Sequence, residues 1–297
     1  MMQRLAAALA CTLLAACAKA PAPAVPVPSA AVQPTAAMEA NRRGEASLRR
    51  GELDGAALHY REALRLSLAV EDANGIAANA VNLSIVYQRQ GRYEDARAAL
   101  APLLERATLA HTPQHRAQAA LRRALLDLEE RRPADAAEWV ARAAAWCGEP
   151  CPLTAAIRNV QGQLALEAGR IDEASAAAKG ALAASRAREE PAEIANAQRL
   201  LGMAALAAGD GAAARDALAE ALAIDRELGI SRRIALDLIG LGRASALRGE
   251  RDAARAYYER ALAVSTAERD AAGASAARSL IDALAGSAGQ QHKTEKR

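Results

Sequence analysis

"AVNLSIVYQRQGRYEDARAAL" (residues 80–100) sets two apolar runs on either side of one glycine, Gly91. Ala96 follows five residues later and Leu100 four after that, a spacing that keeps both on one face of a helix. The same skeleton recurs in "GELDGAALHYREALRL" (51–66), "GRIDEASAAAKGALAA" (169–184), "GDGAAARDALAEALAI" (209–224) and "GERDAARAYYERALAV" (249–264). Gly51, Gly91, Gly169, Gly209 and Gly249 fall 40, 78, 40 and 40 residues apart. The long gap holds a degenerate copy, "RRPADAAEWVARAAAW" (131–146), with Arg131 in the place of the glycine. Six units of about 40 residues result, and a fixed period of this length marks a stacked array.

Each glycine is expected to end one helix in the left-handed conformation that other residues avoid. The alanine five positions on (Ala56, Ala96, Ala136, Ala174, Ala214, Ala254) then sits where two antiparallel helices press closest. Seven residues before the turn stands another small residue: Gly44, Ser84, Gly162, Gly202 or Gly242. Pro113, Pro133, Pro152 and Pro191 suit first helical turns, where a missing N–H is harmless. Pro102 falls inside a helix, where it should kink the chain. Composition agrees. Alanine exceeds a quarter of the 297 residues, Phe is absent, and only two Trp and five Tyr occur. Such a chain packs helices through small side chains, and alanine is the best helix former. The expected fold is all-α: about six antiparallel helix pairs over residues 38–285, a capping helix over 271–285, no β-sheet, and a disordered polar tail over 286–297.

The "LG-x6-G-x4-A" skeleton at Leu201–Ala214 and Leu241–Ala254, together with residues 80–100, resembles the tetratricopeptide repeat. The 40-residue period is similar to that of the long-helix members, such as those of kinesin light chain. Those often carry Asn before the Leu–small pair, and only Asn82 matches well. The resemblance covers about residues 38–270 and implies a right-handed α-solenoid. It also implies that the first helix of each pair lines a concave groove for extended or helical peptides. By repeat alignment, the groove-facing candidates are Asn82, Ile85, Arg89, Asn159, Gln163, Arg199, Met203 and Arg243. Amides, arginines and apolar groups together suit a peptide backbone with acidic side chains.

Arg4 and the apolar run over residues 5–16 have the layout of a signal peptide, too short to span a bilayer. "LAAC", ending at Cys17, resembles the bacterial lipobox, which implies cleavage before residue 17 and acylation of Cys17. Cys11 fits that box less well, because Ala8 stands where a branched apolar residue is preferred. The resemblance places the protein at a membrane, and Ala18, where Asp would favour inner-membrane retention, points to the periplasmic face of the outer membrane. Residues 17–37 hold five of the eleven prolines without apolar periodicity. They read as an extended tether of roughly 60 Å at about 3.1 Å per residue.

Charge is balanced: 38 basic against 35 acidic residues, alternating along the helices. No basic stripe with stacking aromatics is present, so nucleic acid is not an expected partner. No phosphate-cradling loop, nucleophile elbow or metalloprotease motif occurs, so neither catalysis nor a cofactor is expected. "GLGRAS" (240–245) mimics a nucleotide loop, but no strand precedes it and the repeat explains Gly242. Thr112–Pro113 between His111 and His115 read as a helix start, which keeps the imidazoles off one helix face. Trp139 and Trp146, seven apart, read as core of the degenerate repeat.

"CGEPC" (147–151) offers a structural disulfide, two reduced thiols, or a redox or metal site. In an oxidising periplasm paired cysteines usually bond. A redox role would favour CxxC at a helix start, so Cys147 and Cys151 are read as a disulfide on a loop. The expected function is a non-catalytic, lipid-anchored scaffold that binds a protein or peptide in its groove. Thiol or metal handling through Cys147 and Cys151, or ligand sensing, is the alternative.

Overall fold

A computed structural model describes residues 35–105 and 111–294, with side chains described as far as residue 285. Thirteen helices follow in order: α1 (Ala36–Arg49), α2 (Leu53–Ala69), α3 (Ala73–Arg89), α4 (Tyr93–Glu105), α5 (Pro113–Glu129), α6 (Pro133–Cys147), α7 (Thr154–Glu167), α8 (Ile171–Ala187), α9 (Pro191–Ala207), α10 (Gly211–Glu227), α11 (Ser231–Leu247), α12 (Arg251–Ala267) and α13 (Ala271–Thr294). No strand occurs among the described residues. The signal segment with Cys11 and Cys17, and the tether through residue 34, lie outside them.

Every helix packs on its neighbours in sequence, making six pairs (α1/α2 through α11/α12) capped by α13. Each odd-numbered helix also touches the next odd-numbered one, whereas the even-numbered helices do not approach one another. The odd helices therefore crowd the inside of a curve and the even helices fan out on its outside. The concave face belongs to α3, α5, α7, α9 and α11.

The turns explain this regularity. At the end of α11, Gly249 has φ +76°, its N–H donates to the Ala246 carbonyl, and the Glu250 N–H donates to the Ser245 carbonyl at 2.9 Å. This pair of bonds satisfies carbonyls that the helix leaves orphaned. Arg131 holds the same left-handed conformation at φ 58°, so the degenerate unit keeps the turn without the glycine. Sequence reading missed a second set. Between pairs, Glu71, Glu189 and Arg269 stand at φ 53–59°, and among the described residues glycine supplies a positive φ there only at Gly148 and Gly229.

All six alanines at the fifth position after the turn are completely buried. Across from them a Cβ on Gly242 would overlap the Tyr258 ring, so helix-to-helix approach there requires glycine. Leu218 fills the space between Gly202 and Gly240. A fully buried leucine of this kind contributes roughly 1.5–3 kcal/mol. Pro113, Pro133 and Pro191 each open a helix as expected. Pro152 does not: it lies in a turn ahead of α7, which starts at Thr154. The ends also differ from expectation. α1 begins at Ala36, capped by the Thr35 hydroxyl, inside the segment read as tether. α13 continues through most of the expected tail to Thr294, although Gly286 and Gly289 are poor helix formers.

The degenerate third unit is held by polar contacts. Asp127, fully buried on α5, accepts from Arg123 on its own helix and from Arg132 at the start of α6. Arg97 of α4 binds Glu94 and Glu130. Trp139 packs on the core under the guanidiniums of Arg142 and Arg123, and Trp146 under Arg116 at 4.0 Å. Just beyond, Cys147 and Cys151 are bonded to each other across the α6–α7 loop, with Cα atoms 5.2 Å apart. His115 belongs to the α5 capping box with Thr112, and its Nε2 lies 2.9 Å from Asn74 Oδ1.

Candidate groove on the concave face

Counting back from each left-handed turn residue, the positions six and three before it form a stripe along the inner face. Gln163 and Leu166 of α7, Met203 and Leu206 of α9, and Arg243 and Ala246 of α11 occupy it. Two cavities lie along the stripe. One, of about 620 Å³, is mainly apolar, lined by Leu166, Met203, Leu206, Ala207, Ala246 and Leu247, with Arg243 and Tyr258 at its edge. The other, of about 760 Å³, is the more polar of the two and is lined by α3, α5, α7, α11 and the start of α6. Gln88, Arg122, Glu129, Arg131, Gln163, Glu167 and Arg232 supply its polar groups, and Leu125, Leu128 and Leu164 supply apolar wall.

Arg122 is the unusual group. Its guanidinium donates to the Ser84 hydroxyl and carbonyl, both at 3.3 Å, and to Gln88 Oε1. None of these acceptors carries a charge. Burial pushes its pKa down to about 10, against the upward pull of the Glu129 carboxylate. A largely buried cation normally has a carboxylate against it, as Arg97 and Arg199 do. Around the polar cavity three arginines face two glutamates, leaving one positive charge in excess.

Three of the eight candidate residues, Gln163, Met203 and Arg243, line these cavities. Asn82 and Ile85 are half-buried on α3. Three others have different work. Asn159 is buried and donates to the Glu193 side chain at 2.8 Å, tying α7 to α9. Arg199 binds Asp237 at 2.6 Å and also Asp225, both fully buried, and so joins α9, α10 and α11. Its charge is spent inside the array and is not offered to a ligand. Arg89 donates to Glu268 at 2.6 Å, far along the chain. The physical reason is register. Asn159 and Arg199 stand ten residues before their turns, and that position points at the next inner helix. Sequence alignment missed Gln88, Arg122, Leu166, Leu206 and Leu247. Four of them sit one helical turn beyond a chosen residue, so an i+3 or i+4 extension of the stripe finds them. Arg122 lies in the degenerate unit, from which no groove candidate was drawn.

Two segments, residues 81–150 and 152–227, match the family model of the tetratricopeptide repeat. This is a tetratricopeptide-repeat array. The match includes the degenerate third unit. No curated protein matches the chain. Among solved structures, the fold is similar to a Rap protein in complex with Competence and Sporulation Factor: TM-score 0.64, 14% identity, covering 88% of this chain and 73% of that one. It is also similar to the type IV pilus biogenesis factor PilW (TM-score 0.50, 15% identity, 81% and 97% covered). BtubC from P. vanneervenii has TM-score 0.50 and 19% identity, with 80% and 93% covered. At these identities the likeness is one of fold.

Proposed function

We propose that this tetratricopeptide-repeat array is a non-catalytic scaffold, lipid-anchored in the bacterial envelope, that binds a peptide segment of a protein partner along its concave groove. The observation that carries this reading is the pair of neighbouring cavities. The one around Met203 and Leu206 suits an apolar anchor, and the one around Arg122 suits an acidic group. An acidic side chain brought to Arg122 would give a carboxylate hydrogen-bond partner to a guanidinium whose present acceptors are all neutral, and charge-assisted bonds of this kind are among the strong ones. The Rap structure holds Competence and Sporulation Factor and PilW serves type IV pilus biogenesis, which supports ligand capture and assembly of an envelope machine as the setting. Thiol exchange is the weaker reading, because Cys147 is buried beside its bonded partner.

The test is co-purification after membrane solubilisation, with the native protein beside a Met203→Glu, Arg122→Gln double variant. A partner should be retained by the native protein and lost at least about tenfold by the variant, the loss of roughly 1.4 kcal/mol or more. Melting temperatures measured alongside should agree. Equal capture by a folded variant would place binding on another surface.

A further inference from the structure

Two ion pairs join parts of the array that are distant in sequence. Arg89, at the end of α3, meets Glu268, in the turn between α12 and α13, at 2.6 Å. Glu129, at the end of α5, meets Arg232, at the start of α11, at 3.2 Å. The partners are 179 and 103 residues apart. Both pairs connect the second and third units to the sixth. The curve therefore comes round on itself, so that the far end of the last pair stands over the ends of α3 and α5.

The helix backbones do not meet across this closure. α3 shares no Cα pair within 8 Å with α12 or α13, nor does α5 with α11. Only long side chains cross. Glu129 is further held by Tyr93 of α4, whose phenol pKa is raised by burial and then by that carboxylate.

The position of the bridges matters. Glu129 and Arg232 both line the polar cavity, and Arg89 follows Gln88, which lines it too. Between neighbouring helices the array is stitched by buried alanine and leucine contacts, with ion pairs such as Arg199–Asp237 set among them. Here it is stitched by partly exposed charges, which are individually weak and screened by ions.

We propose that Arg89–Glu268 and Glu129–Arg232 form an electrostatic clasp that closes the superhelix over the groove and must release to admit a bulky ligand. The proposal rests on the concave groove being the binding surface, but no ligand is needed to test it. An array stabilised by nearest-neighbour interfaces can flex as a whole while each interface stays intact. Breaking the clasp therefore opens the ring without unfolding any pair.

The experiment introduces Leu125→Cys in the polar cavity of the full chain and follows modification at that position by peptide mass spectrometry. The probes are N-ethylmaleimide and a maleimide carrying a polyethylene glycol chain. With the clasp intact at low salt, the small reagent should react several-fold faster than the large one. Arg89→Glu with Arg232→Glu should remove most of that difference, as should 1 M sodium chloride on the native charges. Reversing all four charges, by adding Glu268→Arg and Glu129→Arg, should restore it, because the pairs are re-formed with opposite sign. Restoration also excludes misfolding as the cause of the first result. An unchanged ratio of rates in the charge-reversed pair, or failure of the fourfold reversal to restore it, overturns the clasp. Either outcome would leave peptide capture by the groove untouched.

Discussion

At the scale of the residue, the turns show where the chain departs from its own rule. Left-handed backbone is needed at both ends of every outer helix for which the turn is described, yet glycine is placed consistently only at the turns within pairs. Glu189, exposed and at φ 55°, occupies the turn between α8 and α9. A side chain in that conformation costs roughly 1–2 kcal/mol, and glycine gives back part of the gain through its freer unfolded state. Glu189→Gly should therefore stabilise by about 0.5–1 kcal/mol, raising the melting temperature by about 2 °C for an array of this size. A lower melting temperature would show that Glu189 makes a contact worth more than its backbone strain. The sequence marked the within-pair turns because glycine is visible. It could not mark the others, where a charged residue accepts the same geometry.

At the scale of the element, Arg199 illustrates how a groove candidate becomes a rivet. It lies on α9 between Asp225 of α10 and Asp237 of α11, with Arg233 of α11 further off at 3.9 Å from Asp225. Burial pushes the Asp237 carboxyl up to about 6, and the neighbouring Asp225 charge adds to this, against the downward pull of Arg199. A carboxyl whose pKa is raised on folding holds more protons folded than unfolded between about pH 4 and 6. Its contribution to stability thus falls as pH rises through that window, the reverse of an ordinary salt-bridged aspartate. Asp237→Asn removes the titration. The melting temperature of the variant relative to the native protein should rise between pH 5 and pH 7.5, by the equivalent of about 1–3 kcal/mol for a displacement of about two units. A constant difference, or one that moves the other way, would mean that Arg199 and not burial dominates at Asp237. Helix periodicity placed Arg199 on α9. Which face that position turns to depends on how far the next helix is rotated, and no local signal carries that.

At the scale of the whole molecule, the array is proposed to hang from a lipid at Cys17 by a proline-rich tether. No described helix is long and apolar enough to cross a membrane. Multiple acyl chains would anchor it stably where a single chain would not. Cys17→Ser should release the protein from membranes or block its processing, read by fractionation and the mass of the mature chain. A serine variant that stays membrane-bound at its normal mature mass would sink the anchor. The scale also bears on binding, since a tethered groove samples partners only within reach of its linker.

Most of the architecture was legible in the residues themselves. Period, turn glycines and buried alanines are local properties: each unit repeats the same short-range rules, and stacking identical units leaves little choice of fold. The cavity residues Gln163, Met203 and Arg243 followed from the same register. What the tertiary structure alone decided is everything that depends on accumulated rotation. A small angle between neighbouring pairs, summed over four pairs, brings Arg89 to Glu268 and Arg232 to Glu129. The rotation between neighbouring helices likewise gives Arg122 only neutral hydrogen-bond acceptors, while Arg199 is given two carboxylates. Charge pairing across 179 residues has no sequence period, because it arises from curvature and not from any repeat.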